Sequence, residues 1–517
     1  MIVARSRTDE SSRNAGVSMI AQIAVIVLGF VTRTVFIAEL GVTLVGINSL
    51  LTSTLALLAI ADLGINGAFM YALYKPLSDG DTDKTAAIVR YAGRLYRWVA
   101  LAVAIIGVAL APFIHQLVRL DEGVEQLEIY YLVLLLNTVF GYLMQNRLIL
   151  LHADQKIYLT KIYSLVFNVI RSMFQIISLI IFENFIVFLS IQVVFTIANN
   201  VVIYLRAGHL YPYLKSPSIS IGIYERRSIL RSTRALLIYR VGGLVLNNSV
   251  PLFISLIVGT VALGYYSNYM LIIGSAVMIT EVAFAALTPS IGNLVAGGNH
   301  GSLRRVFDEI VLLSILVHGF IAVGIITFVD EFMILWLGSE FVLPPVVVIA
   351  AVLNFYVTGT LMPLWSFRSA TGLFRKTQMV IVFTAAISIA LSFVLGPTVG
   401  LAGVVIAPAL ARLATGAWYE PWLLIREHLS GKLVAYFGIQ VGAFALWSLI
   451  ALVTITVGTF FSVGPVAAMA IKAALLLFSL PVVSWLAFRR LDAFQTLVRR
   501  LQSLVQRNIL RVRKGTT

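Results

Sequence analysis

Residues 160–182 read TKIYSLVFNVIRSMFQIISLIIF, and between Lys161 and Glu183 the one charged side chain is Arg171. A helix of roughly 20 predominantly apolar residues is long enough to cross the hydrocarbon core of a bilayer. The stretch therefore predicts a membrane-spanning helix. It is not apolar all round, because Asn168, Arg171 with Ser172, Gln175 and Ser178 recur every three or four residues and fall on one helix face. An Arg near the centre of a span costs roughly 2.5–3.5 kcal/mol on insertion scales. Either that face borders a polar cavity, or Arg171 is a clamp hydrogen-bonded to carbonyls of neighbouring helices.

The rest of the chain repeats the pattern. Of its 517 residues 60% are hydrophobic and 12% charged, whereas a soluble globular protein carries about 25% charged residues. An all-α polytopic membrane protein is the fold class this implies, and little chain is left for a separate catalytic or ATP-binding domain. Breaking the sequence at charged or Gly/Pro-rich joints gives fourteen candidate transmembrane helices. They lie at about 15–39, 42–74, 92–118, 129–151, 160–182, 185–205, 236–258, 263–290, 307–330, 344–368, 379–396, 401–425, 436–460 and 465–488. With the N-terminus inside, 33 of the 38 Lys and Arg residues fall in the inner joints or the span ends beside them, as expected when basic loops stay on the cytoplasmic side. Both termini are expected to be cytoplasmic. The net charge of +15 then reports orientation and not nucleic-acid binding.

Cysteine is absent, so disulfides, thiolate nucleophiles and Cys-ligated metals do not arise. The polar start, with Arg5, Arg7, Asp9, Glu10 and Arg13, runs into an apolar stretch too long for a leader's core, which reads as an uncleaved first span.

Sliding the chain on itself by about 217 residues brings out a faint but ordered repeat. Leu40-Gly41 with Gly46 falls on Val258-Gly259 with Gly264, Asn137 on Asn354, Leu143-Met144 on Leu361-Met362, and the loop around Ala153 on that around Ala370. The expected organisation follows from it. A cytoplasmic N-terminus (1–14) precedes an N-lobe of six helices (15–205), a cytoplasmic inter-lobe loop (206–235) and a C-lobe of six helices (236–425). A helix pair (436–488) and a basic cytoplasmic tail (489–517) complete the chain. In the tail, Leu491, Phe494, Leu497, Val498, Leu501, Leu504 and Val505 stand at helical spacing among eight basic residues, the pattern of a helix lying on an anionic leaflet.

No P-loop, no zinc-protease motif and no Gly-rich dinucleotide loop occurs in the sequence. The chemistry rests on polar groups inside spans. Arg171 and Arg412 sit near mid-span, and Lys472 and Arg33 nearer outer ends, where a long side chain either enters a cavity or snorkels to the headgroups. Arg240 is a cavity cation or an inner-end anchor. Asn199, Asn200, Asn247 and Asn248, with Asn168 and Gln175, line a cavity or bond helix to helix. Asp62, Glu281 and His318 are candidates to carry a coupling ion; for the two acids, ion pairs with intramembrane Arg residues are the alternative. Cations at mid-membrane match or exceed acids, so a shared cavity would be cationic and suit a phosphate-bearing ligand, which guanidinium groups bind in bidentate fashion. Carboxamides and hydroxyls around them suit sugar hydroxyls. No metal site and no cofactor is expected.

Arg13-Asn14-Ala15, Leu40-Gly41 with Gly46, Ala61-Asp62-Leu63-Gly64-Ile65, and Tyr74-Lys75-Pro76-Leu77 followed by Asp79, Asp81 and Asp83 resemble the polysaccharide-export branch of the MOP superfamily, the oligosaccharide-lipid flippases. Ala153-Asp154-Gln155-Lys156 and Ala370-Thr371-Gly372-Leu373-Phe374 extend the likeness, which covers about residues 13–430. Asp62 stands where many relatives carry Glu. The resemblance implies two pseudo-symmetric six-helix lobes of the MATE-like fold around a cavity that opens alternately to either side. It also implies residence in the bacterial cytoplasmic membrane and a substrate of undecaprenyl-pyrophosphate-linked oligosaccharide for capsule, O-antigen or exopolysaccharide. A coupling ion, H+ or Na+, is a further expectation. The extra helix pair resembles that of the fourteen-helix lipid II flippases, where it forms a groove for the lipid tail. A cation-coupled multidrug exporter of the same superfamily is the nearest rival, and would favour an acid-lined cavity. A membrane-embedded polysaccharide polymerase would need a sizeable outer loop, and the outer joints are short. A purely structural scaffold leaves the buried charge without a purpose.

Overall fold

The computed structural model describes residues 7–58, 65–118, 124, 126–215, 221–297, 300–429, 432–459, 464–500 and 502–503. Among them every regular element is helical. In chain order these are α1 (Arg7–Leu58), α2 (Ile65–Asp79), α3 (Thr82–Leu110), α4 (Ile114–Leu117), α5 (Leu127–Leu143), α6 (Gln145–Ala153), α7 (Ile157–Phe182), α8 (Phe185–Leu210) and α9 (Ile223–Phe253). There follow α10 (Thr260–Ala285), α11 (Thr288–Ala296), α12 (His300–Trp336), α13 (Pro345–Thr371), α14 (Phe374–Val399), α15 (Leu401–Ala414), α16 (Gly416–Glu427), α17 (Leu433–Thr459) and α18 (Pro465–Phe488). Local signals set several of the ends. Asp81 caps α3 by accepting from Lys84 N at 2.9 Å, and Asn184 caps α8 by accepting from Ile186 N at 2.8 Å, each satisfying an amide that the first helical turn leaves free.

Twelve helical stretches among the described residues are long and apolar enough to cross a membrane, thirteen if α5 and α6, bent by 51° at their junction, form one span. The expected fourteen differ at the N-terminal end. Helix α1 counts 52 residues, about 78 Å at 1.5 Å per residue, more than twice the thickness of a hydrocarbon core. Gly41 interrupts it with φ 79° and ψ 169°. The expected second span, 42–74, is divided by residues 59–64, which lie outside the described set. Its remainder, α2, has 15 residues, too few to cross on its own.

Gly259, which the repeat superimposes on Gly41, parts α9 from α10 with φ 131° and ψ 161°. Positive φ is open to glycine at no steric cost, so the same residue breaks both helices at the same point of the repeat. Five residues further on, Gly46 and Gly264 face each other where α1 crosses α10. A methyl group at Gly46 would stand 2.9 Å from the Gly264 amide nitrogen and overlap the Thr260 carbonyl oxygen, and one at Gly264 would overlap the Val42 carbonyl oxygen.

The chain forms two compact units, residues 1–275 with 378–407 and residues 276–377 with 408–517. This division follows packing and differs from the repeat segments 15–205 and 236–425, since α14 and the start of α15 go with the first unit. In unit 1, α7 packs on α1 and α8, α5 on α3 and α8, and α9 on α1. Phe36 of α1 is wedged edge-on against Phe185 and Phe188 of α8 at 5.6 and 5.0 Å. Unit 2 is built round α12, against which α13, α17 and α18 lie. There Gly319 accommodates the Trp447 indole and Gly359 the His318 ring, each where a methyl group would overlap it. In the tail, residues 492–500 are helical and Arg500 Nη2 lies 3.1 Å from Glu309 Oε2; residues 504–517 are outside the described set.

Candidate functional site

The polar face of α7 lines a cavity inside unit 1 containing about 780 Å³ of space free of protein atoms, its open mouth included. Asn168, Arg171, Ser172 and Gln175 come from α7, Thr32, Arg33 and Asn48 from the two limbs of α1, Gln192 from α8 and the apolar Leu271 from α10. Periodicity explains the α7 set directly, since its members succeed each other by three or four residues. One turn before Arg33, Gly29 of α1 faces the Leu271 side chain of α10.

Gln175 fixes the wall by donating Nε2 to the Phe188 carbonyl at 3.2 Å, tying α7 to α8, and Ser178 Oγ donates to the Gln175 carbonyl at 2.8 Å. Arg33 Nη1 lies 3.5 Å from Asn268 Oδ1, a long contact. Arg171 Nε is buried and has no hydrogen-bond partner. No Asp or Glu lines the cavity, and among the described residues no carboxylate forms an ion pair with Arg33 or Arg171. Two guanidinium groups beside one cavity, with no carboxylate bonded to either among the described residues, give its wall a cationic character.

The structure thus gathers four of the sequence-nominated residues, Arg33, Asn168, Arg171 and Gln175, in one wall. The others that the structure describes lie elsewhere. Arg412 is buried in unit 2, with Nη1 donating to Asn354 Oδ1 at 2.8 Å. Lys472, also in unit 2, pairs with Glu331 and donates to the Thr327 carbonyl at 3.2 Å; partners some 140 residues apart leave no mark in local spacing. Asn199 and Asn200 lie on α8 and Asn247 and Asn248 on α9, none of them among the residues of the cavity wall. Asn199 Oδ1 is buried without a partner, and Asn248 Nδ2 donates to the Leu244 carbonyl at 3.0 Å. Arg240 falls on α9 and Asp62 between α1 and α2; the Arg240 side chain and the whole of Asp62 are outside the described set.

Glu281 is exposed on α10. His318 is fully buried, its Nδ1 2.9 Å from the Ser314 carbonyl, with its ring against Phe284 and Phe355 at 5.6 and 5.5 Å. The sequence does not single out Thr32, Asn48 and Gln192, which join the wall from α1 and α8, or Asn268, because none belongs to a run of polar residues at helical spacing like that of α7.

Outside the spans, the joint after α6 is locked by Asp154, which accepts from Tyr211 Oη at 2.6 Å and pairs with Lys156 at 2.6 Å. Burial and the Asp154 charge push the Tyr211 phenol well above its ordinary range and raise Tyr213 to about 12.

No protein-family model matches the sequence, and no curated protein does. Solved structures match it in fold. Lipid II flippase MurJ in an inward closed conformation superimposes with a TM-score of 0.66 at 14% identity, over 92% of this chain and 99% of that one. An inward-facing multidrug resistance MATE family transporter of the MOP superfamily gives 0.61 at 15% identity, over 78% of this chain and 98% of that one. A MOP superfamily transporter from Pyrococcus furiosus, described by a reverse polarity of its binding pocket that suggests a different function, gives 0.53 at 15% identity, over 80% and 95%. At these identities the likeness is one of fold: the chain has the all-helical membrane architecture these transporters share.

Proposed function

We propose that the chain is a MOP-superfamily flippase. In this reading it carries the headgroup of an undecaprenyl-pyrophosphate-linked oligosaccharide from the inner to the outer leaflet of the bacterial cytoplasmic membrane by alternating access, for cell-surface polysaccharide assembly. The observation that carries this is the unit 1 cavity, where Arg33 and Arg171 stand together without a carboxylate partner among the described residues. Their charge suits the pyrophosphate, and Asn48, Asn168 and Gln192 supply donors and acceptors for sugar hydroxyls. A pocket whose polarity differs within one fold has a precedent in the Pyrococcus furiosus transporter.

Fourteen spans, with Gly41 as the outer turn between the first two, and both termini cytoplasmic belong to this reading. So does a coupling ion, for which Asp62 and Glu281 remain the nominated carriers. Arg412 and Lys472 act in it as ties within unit 2, and His318 as a packing residue. Reconstitution in liposomes with a fluorescent undecaprenyl-pyrophosphate oligosaccharide tests it. Translocation of the headgroup by the parent and its loss in Arg171→Ala and Arg33→Ala support the proposal. Equal transport by both variants overturns the site, and no transport by the parent overturns the substrate.

A further inference from the structure

Asn268 is fully buried on α10. Its Oδ1 faces Arg33 Nη1 at 3.5 Å, and its Nδ2 has no partner among the described residues. An asparagine placed only to fill space would cost less as a leucine, because a buried amide donor left unbonded is destabilising. The contact it makes is weak: a guanidinium bound to an anion sits at about 2.7–2.9 Å.

The same face of α10 meets α1 one turn to either side. Gly264 is seated on the backbone at Val42 and Gly46, and Leu271 approaches Gly29. The crossing at Gly46 and Gly264 is a backbone-to-backbone approach with the Val42 side chain against Gly264, so the polar tie one turn below it bears on whether the two helices part.

Building on the anionic-cargo reading of the cavity, we propose that Asn268 is a positioning residue coupling anion capture to the α1–α10 crossing. Before an anion enters, Asn268 holds Arg33 and keeps the crossing shut. A phosphate-bearing anion takes the guanidinium with stronger, charge-assisted bonds, the tie to α10 is released, and the crossing is free to open. Among the described residues, no carboxylate lines the cavity to compete for Arg33.

The chain has no cysteine, so Thr32→Cys in the cavity wall supplies a single thiol. Its rate of labelling by a membrane-impermeant maleimide is measured in proteoliposomes from the face away from the basic joints, with and without inorganic pyrophosphate. In this background Asn268→Leu should label about three- to ten-fold faster than its parent without pyrophosphate. Asn268→Asp should label more slowly, because its carboxylate pairs with Arg33. Pyrophosphate should accelerate the parent but not Asn268→Leu. Opposite shifts in the two variants cannot arise from a common loss of folding. Equal rates in all three proteins, with one shared response to pyrophosphate, would overturn the proposal. Opposite shifts with no response of the parent to pyrophosphate would uphold the tie, but overturn the anion as its trigger and with it the anionic reading of the cavity.

Discussion

Unit 1 and unit 2 both carry basic side chains within helices long and apolar enough to cross a membrane, and they treat them differently. In unit 2, Arg368 bonds Glu420 at 2.6 Å, Lys472 is held by Glu331, and Arg412 donates to Asn354 at 2.8 Å. In unit 1, Arg33 has one long amide contact and Arg171 Nε has none. A buried charge with its partner is a tie between helices. One without a partner is a standing cost that binding of an anion offsets. The comparison teaches that intramembrane charge is not itself a sign of a site: the Arg412 bond too is to an amide and not a carboxylate, and what sets Arg33 and Arg171 apart is the cavity they line.

The difference can be broken from either side. Glu420→Ala strips a partner from Arg368, whose side chain is 4% exposed, and should lower stability by about 3–5 kcal/mol, read as an earlier unfolding midpoint in detergent. An unchanged midpoint would mean that the pair is not a tie. Gly359→Ala drives a methyl into the His318 ring and should cost about 1–3 kcal/mol by overpacking; the same assay checks it, and a neutral result would show that the ring has room to shift. In unit 1 the sign differs. Arg171→Gln should leave the unfolding midpoint in place or raise it, because an uncompensated charge is removed, while headgroup transport falls about ten-fold or more. The smallest effect belongs to Gln175→Ala, which removes the bond to the Phe188 carbonyl and should cost about 1 kcal/mol, with transport reduced only as far as α7 and α8 loosen.

Much of this was legible beforehand, for physical reasons that differ by residue. Helix α7 could be read as both span and cavity wall because its polar residues recur at the helical period, a local signal. The glycine pairs 41 with 259 and 46 with 264 could be read because a repeat preserves backbone requirements after side chains diverge, and the two breaks and the crossing lie where the repeat places them. The pairing of Lys472 with Glu331 and of Arg412 with Asn354 was not legible, since tertiary partners far apart in sequence share no period. Asn268 was missed for the same reason: its meaning lies in Arg33, 235 residues away. The expected break between the first two spans falls at Gly41, where the backbone leaves the helical region; the span count parts from expectation because α1 runs on as one long helical stretch through that kink.

The central claim is that the guanidinium groups lining the unit 1 cavity, and not the buried cations of unit 2, hold the phosphate of the cargo. Equilibrium binding of undecaprenyl pyrophosphate to the purified protein in nanodiscs measures this most directly, comparing Arg33→Gln and Arg171→Gln with Lys472→Met. Binding weakened about ten-fold or more by each of the first two and unchanged per folded molecule by the third is the predicted result. Affinity that is insensitive to both arginines, or that falls as far with Lys472→Met, would contradict it.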